Sequence, residues 1–171
     1  MVILVMSDSH SGLRFMRRCV ETIRPTDVVH LGDLFDDGKA VEEENPHIRF
    51  HLVPGNCDYF SRQTGQPQVL RYAVGGVRLF MTHGHLYDVK FGYEKIISRA
   101  YADGADIILF GHTHVPLCQY VPVGTDLGFL GKTDRPLLLF NPGSIGQGLE
   151  HSFGLLTFNN GDVLPSHGKI K

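Results

Sequence analysis

The chain has 171 residues, 42% of them hydrophobic and 20% charged, with a formal net charge of −2. Those values suit one globular domain and exclude bulk disorder, and the charge excludes a nucleic-acid binder that works by overall basicity. No apolar run approaches the ~20 residues of a membrane helix, and Cys19, Cys57 and Cys118 are too few and too scattered for a disulfide framework, so a reducing cytoplasm is the expected setting.

The first residues, Val2–Met6, read as a strand buried on both faces and carry no signal-peptide pattern. Leu13, Met16, Val20 and Ile23 recur at helical spacing, and Pro25 ends that helix. Asp27–Leu31 and Ile48–Val53 read as strands, separated by a short exposed helix that ends near Glu42-Glu43-Glu44. Gln68–Val74, Gly75-Gly76 and Val77–Thr82 have the pattern of an antiparallel hairpin. A helix with Phe91, Ile96, Ile97 and Ala100 on its inner side should follow, then a buried strand over Asp106–Phe110. The rest reads as strands at Leu117–Val123, Leu137–Phe140 and Gly154–Phe158, with Asn159-Asn160-Gly161 as a turn. No repeat or linker divides the chain, so residues 1–171 are read as a single domain. Parallel βαβ units followed by antiparallel strands indicate two packed sheets with helices outside.

The polar residues of interest share one position, the loop just after a strand. Ser7-Asp8-Ser9-His10, Gly32-Asp33, Gly55-Asn56-Cys57-Asp58, His83-Gly84-His85 and Gly111-His112-Thr113-His114 each follow an apolar run. Carboxyl-end loops are where α/β sheets bind ligands. Taken singly, each residue has a plainer reading. Asp33 suits a turn, Asp8 suits a helix N-cap, and His83 suits a hydrogen-bonded loop position. His-x-His is more telling, because residues i and i+2 of extended chain point the same way. Together, Asp8, His10, Asp33, Asn56, His83, His112 and His114 mix hard oxygen with imidazole, the donor set of divalent transition ions. Seven side chains with one shared would give four bonds to each of two ions. Such a site stays cationic, attracts phosphate and acidifies bound water.

These five segments, in this order, resemble the motifs of calcineurin-like metallophosphoesterases, and Asn141-Pro142-Gly143-Ser144 resembles a further segment of that family's small bacterial and archaeal phosphodiesterase branch. The resemblance implies a four-layer αββα sandwich of two mixed β-sheets flanked by helices. It implies two divalent metal ions, Mn first, with Fe, Zn or Ni as alternatives. By that pattern Asp8, His10 and His114 hold one ion, Asn56, His83 and His112 the other, and Asp33 bridges both. The implied reaction is hydrolysis of a small-molecule phosphodiester by a metal-bridging hydroxide, with Asp33, Asn56 and His112 as catalytic residues and Cys57, Asp58 and His85 as substrate contacts.

One departure concerns the general acid. Many relatives carry histidine after the third-motif asparagine, whereas this chain has Cys57, a weak acid with an ordinary pKa of ~8.5. His85 or Asp58 acting through water, or a good leaving group alone, remain alternatives. Cys57 as a nucleophile lacks a basic partner, and a packed loop residue is the simpler reading. His30 reads as a satisfied interior histidine. His47, His51, His151 and His167 show no companions, and Arg17-Arg18 reads as a solvated helix face. Phe60, Tyr87 and Phe91 divide between groove and core. Two rival functions share this pattern: a phosphomonoesterase with the same core, and a protein-binding scaffold like the retromer subunit of this fold. The complete ligand set argues for the enzyme. Apolar strand edges and segment 124–135 offer a contact for a homo-oligomer.

Overall fold

A computed structural model describes residues 1–58, 65–159 and 161–171. The elements run β1 (Val2–Met6), α1 (Leu13–Ile23), β2 (Asp27–His30), α2 (Phe35–Glu44), β3 (Arg49–Leu52), β4 (Val69–Val74), β5 (Val77–Thr82), α3 (Glu94–Ala102), β6 (Ile107–Leu109), β7 (Leu117–Val121), β8 (Leu137–Asn141), β9 (His151–Asn159) and β10 (Asp162–Ile170). One sheet has the order β10-β9-β1-β2-β3 and the other β4-β5-β6-β8-β7. Each mixes parallel pairs, β1 with β2 and β6 with β8, with antiparallel ones, β9 with β1 and β7 with β8.

The apolar runs explain the layering. In β1, Ile3 and Val5 face the second sheet and pack with Leu79, Met81, Leu109 and Phe140, while Leu4 and Met6 face outward onto Met16, Cys19 and Val20 of α1. A strand with helix on one face and sheet on the other has no solvent side, hence no polar alternation. The mirror arrangement holds for the second sheet, where Phe80, Ile108 and Leu139 meet Ile96 and Ala100 of α3. The result is the expected four layers, α, β, β, α. Truncation of a fully buried residue such as Leu4 to alanine would cost ~2–5 kcal/mol.

Several expectations are corrected. Gly12, and not Asp8, caps α1, and it does so without a side-chain bond; Arg24 ends the helix in the left-handed conformation just before Pro25. The helix expected to be exposed, α2, is half-buried through Phe35, Asp37, Gly38 and Val41. Phe91 lies outside α3 and is 93% exposed, so only Ile96 and Ala100 of the expected inner set are buried. The final strand, β10, was not bounded in the sequence because it is an edge strand containing Pro165 and alternating exposed residues. His51 lies 3.2 Å from Asp27, His151 stacks on Phe15, and His167 bonds the Asn141 carbonyl, so these histidines do have companions. His30 is fully buried, and neither ring nitrogen has a hydrogen-bond partner among the described residues. Burial pushes its pKa down to about 4, so the ring is neutral. Arg17 is held by Glu44 of α2 through a forked pair. Phe60 and Asn160 lie outside the described residues. No helix among the described residues is long and apolar enough to cross a membrane.

Candidate metal centre

The loops after β1, β2, β3, β5 and β6 meet at one edge of the sandwich. Backbone pairing continues past the strand ends: Asp8 N donates to Gly32 O at 2.9 Å, Ser9 N to Asp33 O at 3.2 Å, and Gly111 N to His83 O at 3.0 Å. The chains then turn sharply. Asp8, His10, Asp33, His112 and His114 all have positive φ, between 40° and 66°. For residues other than glycine this region costs about 1–2 kcal/mol each, although Asp and His tolerate it better than most. Strain gathered on chemically related side chains marks a functional constraint. Close approach also demands glycine here. A Cβ at Gly55 would sit 2.2 Å from Asp33 Oδ1, and one at Gly111 would sit 1.9 Å from Ser7 Oγ.

The side chains converge in two groups. Ligand-type atoms of Asp8, His10, Asp33 and His114 lie within 4.8 Å of one another, as do those of Asp33, His83 and His112. Asp33 belongs to both. Asn56 joins the second group, with its Oδ1 3.1 Å from His83 Nε2. The structure therefore brings all seven residues singled out in the sequence into one cluster.

The protonation pattern follows from the backbone. His83 is fully buried, and its Nδ1 lies 2.7 Å from the Leu31 carbonyl. A carbonyl only accepts, so Nδ1 carries a proton and Nε2 is the ring atom turned into the cluster. Nε2 faces Asn56 Oδ1 at 3.1 Å, Asp33 Oδ1 at 3.5 Å and His112 Nδ1 at 3.2 Å. Burial, then repulsion from His83, drives the His112 pKa down to about 4, so the His112 ring is neutral. Asp8 is buried. Its burial opposes ionisation, but His114 and His83 outweigh it, and the carboxyl stays below its ordinary range. Asp8 in turn raises the pKa of His114, whose Nε2 is 3.1 Å away. His10 Nε2 is buried without a hydrogen-bond partner among the described residues, and Asp8 Oδ1, also buried, faces only the ring nitrogens of His114 and His83, at 3.1 and 4.0 Å. Imidazole and carboxylate groups gathered this closely, with a buried ring nitrogen left unpaired, are what a metal cation would satisfy. The residues fit divalent metal ions.

The three residues expected to touch substrate divide. His85 stands at the rim of the second group, its ring 5.4 Å from that of His83 and 6.1 Å from that of His112. Cys57 is exposed beside Asn56, and burial of its sulfur with the nearby negative charge of Asp33 pushes its pKa up to about 11. Asp58 is different. Its oxygens accept the backbone N–H groups of Asp33, Leu34, Phe35 and Gly55, at 2.7 to 3.1 Å. Through these four bonds Asp58 holds the backbone that carries Asp33.

Other positioning residues were not singled out in the sequence. Asp37, on the first turn of α2, accepts from Ser9 Oγ at 2.8 Å and Ser11 N at 3.0 Å, and so braces the loop that carries Asp8 and His10. Asn141 Nδ2 donates to Gly111 O, and Ser144 Oγ to Asp8 O, both at 2.9 Å. The resemblance included Asn141 and Ser144 without a role.

Comparison with known proteins agrees with this geometry. The model of the calcineurin-like phosphoesterase superfamily domain matches residues 1–161. A probable metallophosphoesterase, YsnB of Bacillus subtilis (strain 168), is 30% identical, over 94% of this chain and 86% of its own. Phosphodiesterase YfcE of Escherichia coli (strain K12) is 28% identical, over 96% and 90%. Among solved structures, a predicted phosphoesterase from Streptococcus pneumoniae TIGR4 superposes with a TM-score of 0.70 at 26% identity, covering 99% of this chain and 97% of that one. A Vps29 single mutant from Entamoeba histolytica shares the fold, with a TM-score of 0.69 at 22% identity and full coverage of both chains.

Proposed function

The chain belongs to the calcineurin-like phosphoesterase superfamily, and from that premise we propose that it is a metal-dependent phosphodiesterase acting on a small-molecule substrate. The observation that carries this reading is the convergence of Asn56 Oδ1, His112 Nδ1 and Asp33 Oδ1 within 3.1 to 3.5 Å of His83 Nε2, with Asp33 shared between the two groups of ligand-type side chains. Asp8, His10 and His114 would hold one divalent ion, Asn56, His83 and His112 a second, and Asp33 both, with Mn the first candidate. When bound, such ions supply Lewis acidity, which holds a phosphate and acidifies water for in-line attack.

The residues of the chain do the rest. Asp58 and Asp37 lock the loops of Asp33 and Asp8, so the donors are in place before substrate arrives. The Leu31 carbonyl fixes the His83 ring. Cys57, with its raised pKa, keeps its proton at neutral pH and is a poor acid toward an alkoxide, which leaves His85 as the rim group with a titratable nitrogen. Phosphodiesters with acidic leaving groups are therefore the expected substrates.

The test is hydrolysis of bis(p-nitrophenyl) phosphate and p-nitrophenyl phosphate by chelator-treated protein resupplied with Mn, Fe, Ni or Zn. Metal-restored turnover, higher on the diester, supports the reading. Preference for the monoester would make the protein a phosphomonoesterase. No turnover with any metal would favour a scaffold of the same fold.

A further inference from the structure

Away from the metal centre, α1, the start of β9 and the end of β10 line an open cavity of about 600 Å³. Arg14, Arg18 and Lys171 line it, together with Phe15, Leu149 and His151. Its size lies within the range of small-molecule sites.

The charge distribution singles it out. The chain as a whole is slightly acidic, at −2. Most Lys and Arg side chains of the described residues are tied to carboxylates, as Arg17 is to Glu44, Arg78 to Asp106 and Lys169 to Glu150. Among the described residues Arg14, Arg18, Arg24, Lys90, Lys132 and Lys171 make no salt bridge to an Asp or Glu side chain within 4.0 Å, and half of these cations converge on this one cavity. Glu150, next to Leu149 in the chain, is held by Lys169 at 2.6 Å and also feels the charge of Lys171. Arg18 donates to the terminal main-chain oxygen of Lys171, at 2.7 Å, which offsets part of the positive charge and leaves Arg14 and the Lys171 ammonium in excess.

The walls are prepared as well. Phe15 is stacked by His151 at 3.7 Å between ring centroids, and the Arg14 guanidinium lies 4.4 Å from the Phe15 centroid. Stacking holds the guanidinium while leaving its N–H edge open. His151 Nδ1 is buried without a hydrogen-bond partner among the described residues. Leu149, fully exposed, adds an apolar side chain at the mouth.

We infer that this cavity is a second binding site, independent of metal, for a small organic anion: a phosphate-type head against Arg14, Arg18 and Lys171, and an apolar or aromatic body against Leu149 and the Phe15–His151 stack. Two N–H forks and an ammonium suit a tetrahedral oxyanion, and the apolar wall selects an organic phosphate over the free ion.

The probe is phenylphosphonate, whose carbon–phosphorus bond resists hydrolysis, titrated into chelator-treated protein. The readouts are calorimetry and the NMR resonances of the His151 ring and Leu149 methyls. The expected result is one saturable site, shifts at both residues, and at least tenfold weaker binding of inorganic phosphate. Arg14→Glu with Arg18→Glu should weaken phenylphosphonate at least ~10-fold by charge reversal, with circular dichroism unchanged. Lys171→Glu, at an exposed position, is the second variant should the first fold poorly, and should weaken binding in the same direction. His112→Ala should leave the affinity unchanged. Absence of saturable binding, binding indifferent to the charge reversals, or binding abolished by His112→Ala would each overturn the proposal. Equal affinity for inorganic phosphate would overturn the apolar half of it.

Discussion

His83 Nδ1 lies 2.7 Å from the carbonyl oxygen of Leu31, so a histidine leaving β5 in one sheet is oriented by the backbone just past β2 in the other. This bond sets which nitrogen faces Asp33, Asn56 and His112. In metal-free protein the His83 ring should be the Nδ1–H tautomer, as read from long-range ¹⁵N–¹H correlation spectra. An Nε2–H tautomer would contradict the hydrogen bond to Leu31 as the contact that orients the ring.

Asp33 is shared by both ligand groups, whereas His112 belongs to one. Elemental analysis of Mn-loaded protein should give two ions per chain. Asp33→Asn should weaken both sites, and His112→Ala should spare one ion. Each should lower turnover at least ~10²-fold, the scale at which loss of metal-polarised charge stabilisation is felt. Wild-type activity in both variants would place the chemistry elsewhere.

Asp58 accepts four buried or partly buried backbone N–H groups. A buried donor left unsatisfied costs about 1–3 kcal/mol. Asp58→Ala should therefore destabilise by roughly 3 kcal/mol or more, measured by urea unfolding, and Asp58→Asn by less because it keeps one acceptor oxygen. An alanine variant as stable as wild type would contradict the positioning role.

The Cys57 thiol, with its pKa pushed up to about 11, is protonated at neutral pH. Metal-free protein should react slowly with iodoacetamide at pH 7.5, and faster as pH climbs toward that value. Cys57→Ala should lower kcat by under ~10-fold, against the ~10²–10⁴ of a working general acid. Fast alkylation at neutral pH, or a larger loss of kcat, would assign Cys57 a chemical role.

Asp106 precedes β6 and accepts from Arg78 through both side chain and backbone. The Arg78 hydrogen bonds hold its pKa below the ordinary value of 3.8. A carboxyl depressed in the folded state adds stability above its unfolded pKa, and that stability fades as pH falls toward the folded value. Urea midpoints between pH 6 and pH 3 should fall less steeply in Asp106→Asn than in wild type. Parallel curves would show that the pair adds nothing to acid stability.

What the sequence alone determined was local in origin. An apolar run with no alternation, such as Val2–Met6, can only be a strand covered on both faces, and the Asp, Asn and His that follow such runs must emerge at strand ends. The seven candidate ligands were legible for that reason, and so were the two sheets and four layers. The tertiary structure decided what depends on partners far along the chain. That the Asp58 carboxylate accepts the amides of residues 33–35 could not be read from its motif, and the proton on His83 Nδ1 depends on Leu31, 52 positions away. Phe91 fitted a helical stripe, yet α3 begins later and leaves it in solvent. The strand β10 carries too few apolar residues to announce itself, because an edge strand is held by backbone pairing to β9 more than by burial. Spacing reveals which side chains leave a strand together; only packing decides which atoms they meet.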